Sequence, residues 1–95
     1  MTYRIIFTKP AQRDIRQIGD VAGIAVARRW VEDIVGSAES LREMPMRQRE
    51  RVELMAGLRS ISLGDYMIFY RVAADSVHIL RVVHGARDIT AKLFR

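Results

Sequence analysis

The spacing of apolar residues changes once along this chain, and the change restricts the fold more than any other feature of the sequence. Between residues 9 and 44, apolar residues recur every three or four positions, which is the period of one helix face. Beyond residue 57 they form short runs rich in β-branched and aromatic residues, which Gly-Asp and Ala-Asp pairs interrupt. A helical first half and a strand-rich second half predict an α+β fold.

Two helices joined by a very short connection are predicted in the first half. Thr8 can cap the first helix, and Gly19 is a stop signal. Asp20 can cap the second helix, which ends at Met44 because Pro45 excludes the preceding residue from helical geometry. So short a connection predicts an antiparallel helical hairpin. The apolar stripe of the second helix comprises Ala22, Val26, Ala27, Trp30, Val31, Ile34, Ala38 and Leu41.

Four strands are predicted, one before the helical hairpin and three after it. Together with the helices they give the order β-α-α-β-β-β. This order predicts one domain over residues 1–95, in which the helical hairpin packs on a small, mostly antiparallel sheet. The predicted strands cover residues 3–7, 58–61, 66–72 and 76–84.

The pairing of the last two strands can also be predicted. If Val72 faces Val77, strict alternation places Tyr66, Tyr70 and Arg81 together on one face. The opposite face is then the better core against the helices, and the tyrosines and the arginine form an open contact surface. A register slip of one residue would reverse this assignment. The expected core face carries Met67, Phe69, Leu80 and Val82.

The composition excludes several classes of site. The chain has no cysteine, which removes disulfides, thiolate metal sites and cysteine catalysis, and its two histidines do not make a His-rich metal site. Glu50 and Glu53 have no histidine or further acid at ligand spacing, so we expect no metal and no cofactor. No apolar run approaches the ~20 residues of a membrane span, and the first residues lack a signal-peptide pattern. We therefore expect a small cytoplasmic domain.

Positive charge is concentrated in the second half of the chain. The net charge is +5, and residues 47–95 carry nine basic and five acidic side chains. Fourteen of the 16 basic residues are arginines, which suit bidentate contact with phosphate or carboxylate, although a GC-rich genome also produces such a ratio. The position of the excess predicts an acidic partner, either a nucleic acid or an acidic protein segment.

Four features occur in the order found in a known family. They are the first strand with the helix after it, the segment Glu53-Leu54…Gly57-Leu58-Arg59, the strand Tyr66…Tyr70, and the run from Val82 to Asp88. Together they resemble the RelE/ParE superfamily of type II toxin–antitoxin toxins over nearly the whole chain. The resemblance implies the β-α-α-β-β-β fold and a bacterial growth inhibitor held inactive by a small ParD-like antitoxin. It also implies that the chain contacts DNA only through that antitoxin.

The superfamily has two activities that need different residues. RelE-like members cleave mRNA on ribosomes, whereas ParE-like members inhibit DNA gyrase. Cleavage through the 2′-hydroxyl requires a base, cations at the phosphate and an acid for the leaving oxygen. The resemblance assigns two RelE-like arginines to Arg59 and Arg87. Its two lysines fall at Met55 and Gly57 and its tyrosine near Leu93, and none of these residues transfers a proton. It therefore favours a gyrase inhibitor, with a ribosome-dependent endoribonuclease as the alternative.

Each candidate residue has both a functional and a structural interpretation. In the ribonuclease alternative, His84 joins the two arginines as a catalytic residue, because imidazole titrates near neutral pH. The arginines can equally form ion pairs within the domain, and the tyrosines can pack in the sheet. A plain nucleic-acid-binding module is a third interpretation, but the long helix has balanced charge and no recognition motif is present. The candidates for contact with target or antitoxin are Arg59, Tyr66, Tyr70, Arg81 and Arg87.

Overall fold

The structure, a computed structural model, describes residues 2–95. It confirms the α+β class and the order β-α-α-β-β-β, with two helices packed on one side of a four-stranded sheet. The elements are β1 (Arg4–Phe7), α1 (Lys9–Ala22), α2 (Ile24–Glu39), β2 (Leu58–Leu63), β3 (Tyr66–Ala73) and β4 (Ser76–His84), with 3₁₀ turns at Ser40–Arg42, Pro45–Arg47 and Ala91–Phe94.

The sheet is antiparallel except at one edge. Its strand order is β1-β4-β3-β2, and β1 pairs with β4 in parallel because the helical hairpin carries the chain from one end of the sheet back to the other. Thr8 connects the start of α1 to β4, since its hydroxyl donates to the carbonyl of Ile79 at 2.8 Å and also accepts from the amide of Ala11. The N-cap role predicted for Thr8 is thereby confirmed.

The connection between the helices is a single residue, but it lies four residues later than predicted. Gly19 and Asp20 lie inside α1, and Gly23, with φ of 89°, ends α1 and begins α2. Gly19 serves the packing of the two helices instead, because a Cβ there would lie 3.2 Å from the Cβ of Ala27. The prediction of a stop at Gly19 was wrong because a glycine at a close helix contact has the same sequence signature as a terminal glycine.

The second helix is shorter than predicted, and part of its apolar stripe faces outward. It ends at Glu39, five residues before Met44, and continues as a 3₁₀ turn. Ile34 and Ala38 are fully buried against the sheet, whereas Val26 and Val31 are exposed. The side chain of Ala22 lies outside the described part of the structure. No helix within residues 2–95 is long and apolar enough to cross a membrane.

The assignment of the two sheet faces was wrong. Val72 does pair with Val77, but β4 contains a bulge, because Tyr70 pairs with Ile79 and Phe69 then pairs with Arg81. Both faces of the sheet are apolar, so the helices could have packed on either one, and they cover the face that includes Tyr70. The predicted core residues Met67, Phe69 and Leu80 pack instead in a second, smaller cluster on the outer face, beneath the C-terminal segment. That cluster contains Leu54, Met55, Leu58, Met67, Phe69, Leu80, Val83, Ile89 and Phe94.

Candidate functional site

The five predicted contact residues do not form one site. Tyr70 is fully buried and Arg59 is largely buried on the helix side, so the structure contradicts the open contact surface predicted for Tyr70. Arg81 is engaged inside the domain. Only Tyr66 and Arg87 keep accessible surface without a hydrogen-bonded or ionic partner among residues 2–95, and both lie at the same end of the sheet.

Tyr70 and Arg59 organise the segment between α2 and β2. The Tyr70 hydroxyl donates to the carbonyl of Pro45 at 2.6 Å, and burial raises the pKa of Tyr70 to about 12. Arg59 pairs with Tyr70 across the strands, and its guanidinium donates to the carbonyls of Met46 and Gln48. These bonds satisfy backbone acceptors that no helix or strand would otherwise pair, which fixes the course of the segment.

Two acidic residues of the same segment, Glu50 and Glu53, are also engaged. Glu50 accepts from the amide of Gly57 at 3.2 Å and lies 3.8 Å from the guanidinium of Arg59. Glu53 pairs with Arg51 at 2.9 Å, and the hydrogen bond from that guanidinium holds the pKa of Glu53 below its usual range. The exposed Arg47 and Arg49 form no ion pair within residues 2–95, so this segment presents net positive charge.

Arg81 clamps three parts of the fold together. From the β4 bulge it makes a bidentate pair with Asp14 of α1, at 2.7 and 2.9 Å, and it donates to the carbonyl of Leu93 at 2.9 Å. Asp14 also accepts from the amide of Val82 at 2.9 Å, so both of its carboxylate oxygens are occupied. The hydrogen bonds to Asp14 raise the pKa of Arg81 and keep its charge permanent.

Sequence reasoning missed the role of Asp14, although a signal was present. Asp14 lies three residues after Ala11 and four before Ile18, on the face of α1 that packs against the sheet. An acidic residue on the buried stripe of a helix requires a cationic partner, because an unpaired buried charge is costly. The sequence therefore indicated that a partner exists, but it did not indicate which of the 14 arginines supplies it.

Beside this clamp lies a groove of about 440 Å³, which we call the tail groove. Its floor is apolar, and the uncommitted cations on its rim are Arg13 and Arg95. Met55 and Leu93 both line it, so the fold brings together two positions that the superfamily resemblance assigns to ribonuclease residues. Neither side chain can transfer a proton. The lining is Thr8, Pro10, Arg13, Asp14, Met55, Leu80, Arg81, Leu93, Phe94 and Arg95.

The fold does not bring the remaining ribonuclease candidates to the tail groove. Arg59 aligns with Tyr70 in the sheet, whereas Arg87 follows His84, which aligns with Tyr66. Four strand residues separate these two levels, a distance of about 13 Å at ~3.3 Å per residue. Neither arginine nor His84 lines the groove.

A second groove, of about 460 Å³, lies where the helical hairpin meets the start of β3 and the end of β4, and we call it the hairpin groove. Trp30 contacts Tyr66 edge to face with ring centroids 4.9 Å apart, and His84 contacts the same tyrosine at 5.2 Å. Trp30 is only half-buried, so its predicted core position holds for one side of the ring. The groove therefore combines aromatic surface with the guanidinium of Arg87, which has no hydrogen-bonded or ionic partner within the described part of the chain.

The chain around His84 is tightly constrained. The Nδ1 atom of His84 accepts from the amide of Ala86 at 3.0 Å, and the carbonyl of His84 accepts from the amide of Arg87. A Cβ on Gly85 would lie 3.1 Å from the carbonyl oxygen of Asp65, so only glycine allows this close approach without displacement. The turn thus holds the backbone of Arg87 in place, while its side chain is exposed.

Two helices on a β1-β4-β3-β2 sheet, with a C-terminal segment across the outer face, form the fold of the RelE/ParE superfamily of toxins. The sequence also matches the family described as ParE toxin of type II toxin–antitoxin system, parDE, over residues 5–89. The chain therefore belongs to the ParE toxin family.

Similar proteins agree with this assignment. The chain is 30% identical over 94 residues to Toxin ParE3 of Caulobacter vibrioides, and the alignment covers 95% of this chain and 94% of that protein. It is 24% identical over 98 residues to Toxin ParE1 of Mycobacterium tuberculosis, covering 98% and 100% of the two chains.

Two solved structures share the fold. A chain of the chromosomal ParDE toxin–antitoxin system from P. aeruginosa superposes with a TM-score of 0.74 at 24% identity, covering 87% of this chain and 96% of that one. A chain of the RelBE2 toxin–antitoxin complex from Mycobacterium tuberculosis superposes with a TM-score of 0.66 at 28% identity, covering 92% and 95%.

Proposed function

We propose that this ParE-family toxin arrests growth by inhibiting DNA gyrase in the cytoplasm, as an inhibitor and not as a nuclease, and that a cognate antitoxin neutralises it. The observation that carries the choice of target is the chemistry of the tail groove. Met55 and Leu93 line it at positions where the resemblance requires lysine and tyrosine. RNA cleavage there would lack both its general base and its general acid.

The acidic residue in the groove does not replace these groups. Asp14 has the only carboxylate side chain among the described lining residues, and Arg81 and the amide of Val82 occupy its oxygens. Loss of one general acid or base typically slows a reaction by about 10²–10⁴-fold. With both absent, mRNA cleavage should stay near background, although Arg13 and Arg95 could still hold a phosphate.

One purified preparation can test both targets. We expect inhibition of gyrase supercoiling and no discrete cleavage of a translated message by primer extension, and His84→Ala should leave both results unchanged. Codon-linked cuts that vanish in His84→Ala would contradict the proposal and identify His84 as the missing acid or base. Absent cuts together with unimpaired supercoiling would exclude both targets.

The antitoxin proposal has a separate test. Exposed apolar side chains on α2 and free arginines on the rest of the surface suit a segment that folds on binding, with apolar anchors and flanking acidic residues. We expect tight neutralisation that is only partly salt-sensitive, because salt does not screen apolar burial. If dissociation accelerated by about 10³-fold or more between low and physiological salt, charge alone would hold the complex and the apolar part would be wrong.

A further inference from the structure

We propose that residues 44–52, which we call the arginine loop, form the surface by which this toxin contacts its protein target, and that the contacted patch is acidic with an apolar side chain at its centre. This inference rests on the proposed function only in assuming that the chain acts on a target distinct from its antitoxin. It adds the location and chemistry of the contact. The first observation that carries it is the way the loop is built.

The loop is held from the inside. Tyr70 and Arg59 bind three of its carbonyls, and the amide of Arg51 donates to the carbonyl of Leu58 at 2.6 Å. Arg51 also donates to the hydroxyl of Ser60 at 3.3 Å. The loop is part of the long connection between α2 and β2, which contains only short 3₁₀ turns, and such a connection is usually functional when its backbone is this ordered.

The outer surface of the loop is both apolar and cationic. Met44, Met46 and Val52 are 62%, 57% and 65% exposed, and the exposed Arg47 and Arg49 lie between Met46 and Val52. Flexible methionines are common on protein-binding surfaces, and a bare phosphate-binding surface would not need them. These observations favour a protein patch over a nucleic acid.

A groove of about 380 Å³ adjoins the loop and could receive one apolar side chain. Met44, Pro45 and Met46 line it together with Tyr3, while Arg47 and Glu43 lie on its rim. Glu50 of the loop lies against Arg59 and the adjacent Glu53 pairs with Arg51, so neither acid forms an ion pair with the exposed Arg47 or Arg49. Charge complementarity therefore requires acidic residues on the partner around the apolar side chain that enters the groove.

The shape of the surface favours the target over the antitoxin. The arginine loop is short and preformed, which suits a small contact with an already folded protein. An antitoxin segment that folds on binding needs a long strip to wrap, and α2 offers one in Ile24, Val31 and Val35, which are exposed and spaced i, i+7 and i+11 on one face of the helix. The two surfaces should therefore be separable by mutation.

The test compares two charge reversals that change the formal charge by the same amount. Arg47→Glu/Arg49→Glu alters the loop, and Arg28→Glu/Arg29→Glu is the matched control, because both pairs are exposed and form no ion pair within the described residues. Each variant is produced in cells without antitoxin to score growth arrest, and is then purified for gyrase inhibition, antitoxin binding and a thermal melt. The loop variant should lose growth arrest and require at least about tenfold more protein for equal inhibition, with antitoxin binding and melting unchanged. The control should arrest growth like the parent.

Several outcomes would overturn the inference. Full growth arrest by the loop variant would exclude the loop as the target surface, and lost antitoxin binding with an unchanged melt would make it the antitoxin's surface. Met44→Ser/Met46→Ser should also weaken arrest. If it does not, and the loop reversal abolishes salt-sensitive binding to a labelled 20-bp DNA duplex, the partner is a nucleic acid.

The same data separate this inference from the choice of gyrase. A parent chain that arrests growth without inhibiting gyrase contradicts the proposed target, and the growth comparison still tests the loop. A parent that inhibits gyrase while the loop variant inhibits it equally contradicts the loop alone. A parent that does neither contradicts both.

Discussion

The two faces of the sheet are closed by different means, and the difference separates structural arginines from available ones. On the helix side, nine fully or nearly fully buried side chains pack beneath two regular helices. On the outer side, three such side chains lie under irregular segments that arginine and backbone hydrogen bonds hold in place. Each irregular segment is held by a cation: Arg81 binds the C-terminal segment over the outer face, and Arg59 binds the segment between α2 and β2 at the edge of the helix side. Arg47, Arg49 and Arg87 have no such role, and they form no ion pair among residues 2–95.

The largest effect on stability is expected from removing the side chain of Arg81, which joins α1, β4 and the C-terminal segment at the β4 bulge. Arg81→Ala would leave Asp14 buried without its cation and Leu93 without its donor, which should lower the free energy of unfolding by about 3 kcal/mol. Urea denaturation measures this change. The control is Arg4→Ala, because the Arg4–Asp75 pair is 70% and 60% exposed and surface pairs contribute little. Equal losses in the two variants would show that the clamp is no more than a surface pair.

The comparison between the faces can be tested with one truncation on each. Ile34→Ala opens a cavity in the fully buried helix-side core and should cost about 3 kcal/mol. Phe94→Ala removes a half-buried ring that contacts Phe69 edge to face at 5.1 Å on the outer side. It should cost clearly less, because the C-terminal segment can relax and water can enter. The same urea titrations compare the two, and a larger loss for Phe94→Ala would make the outer cluster the main core.

A third effect concerns Tyr70, which is part of the helix-side core and also binds the segment between α2 and β2. Tyr70→Phe leaves the carbonyl of Pro45 without its donor and should cost about 1–3 kcal/mol near neutral pH. The folded state holds the phenol proton more tightly than the unfolded chain, since burial raises the pKa of Tyr70 from 10.0 to about 12. The contribution of the Tyr70 hydroxyl to the free energy of unfolding is therefore complete below about pH 10, and it decreases as the pH rises toward 12.

The phenylalanine variant lacks this proton, so the stability gap between the two proteins should narrow across the same pH range. Urea midpoints at pH 8, 10 and 11.5 measure the gap. A constant gap would mean that the Tyr70 hydroxyl ionises as it does in the unfolded chain.

Much of this architecture was predictable from local patterns. The change of apolar period, the Thr8 cap and the pairing of Val72 with Val77 identified the α+β order, because each depends on neighbouring residues. The choice of sheet face was not predictable, since both faces are apolar and local spacing does not tell which one the helices cover. The bulge after Ile79 adds one residue to β4, and strict alternation has no way to detect it.

The roles of the candidate residues also depend on tertiary contacts that local sequence patterns do not show. Arg59, Arg81 and Arg87 look equivalent in sequence, and only the tertiary contacts show that the first two bind backbone carbonyls while the third does not. Asp14 carried a local signal, an acid on a buried helix stripe, but its partner lies 67 residues away in the chain. Long-range pairing of charges is decided by packing, so one sequence cannot resolve it.

The smallest effect on stability is expected at Arg87, and it sharpens the division between structural arginines and available ones. Its backbone amide keeps its bond to the carbonyl of His84 whatever the side chain is, and its guanidinium forms no ion pair among residues 2–95. Arg87→Ala should therefore change the free energy of unfolding by no more than about 0.5 kcal/mol. If the hairpin groove contributes to target contact, the same variant should weaken gyrase inhibition while its melt stays unchanged.

Asp88→Ala is the control, because a hidden Arg87–Asp88 pair would make the two variants lose stability together. Such a shared loss would move Arg87 into the structural group and leave the arginine loop as the main cationic surface for the target.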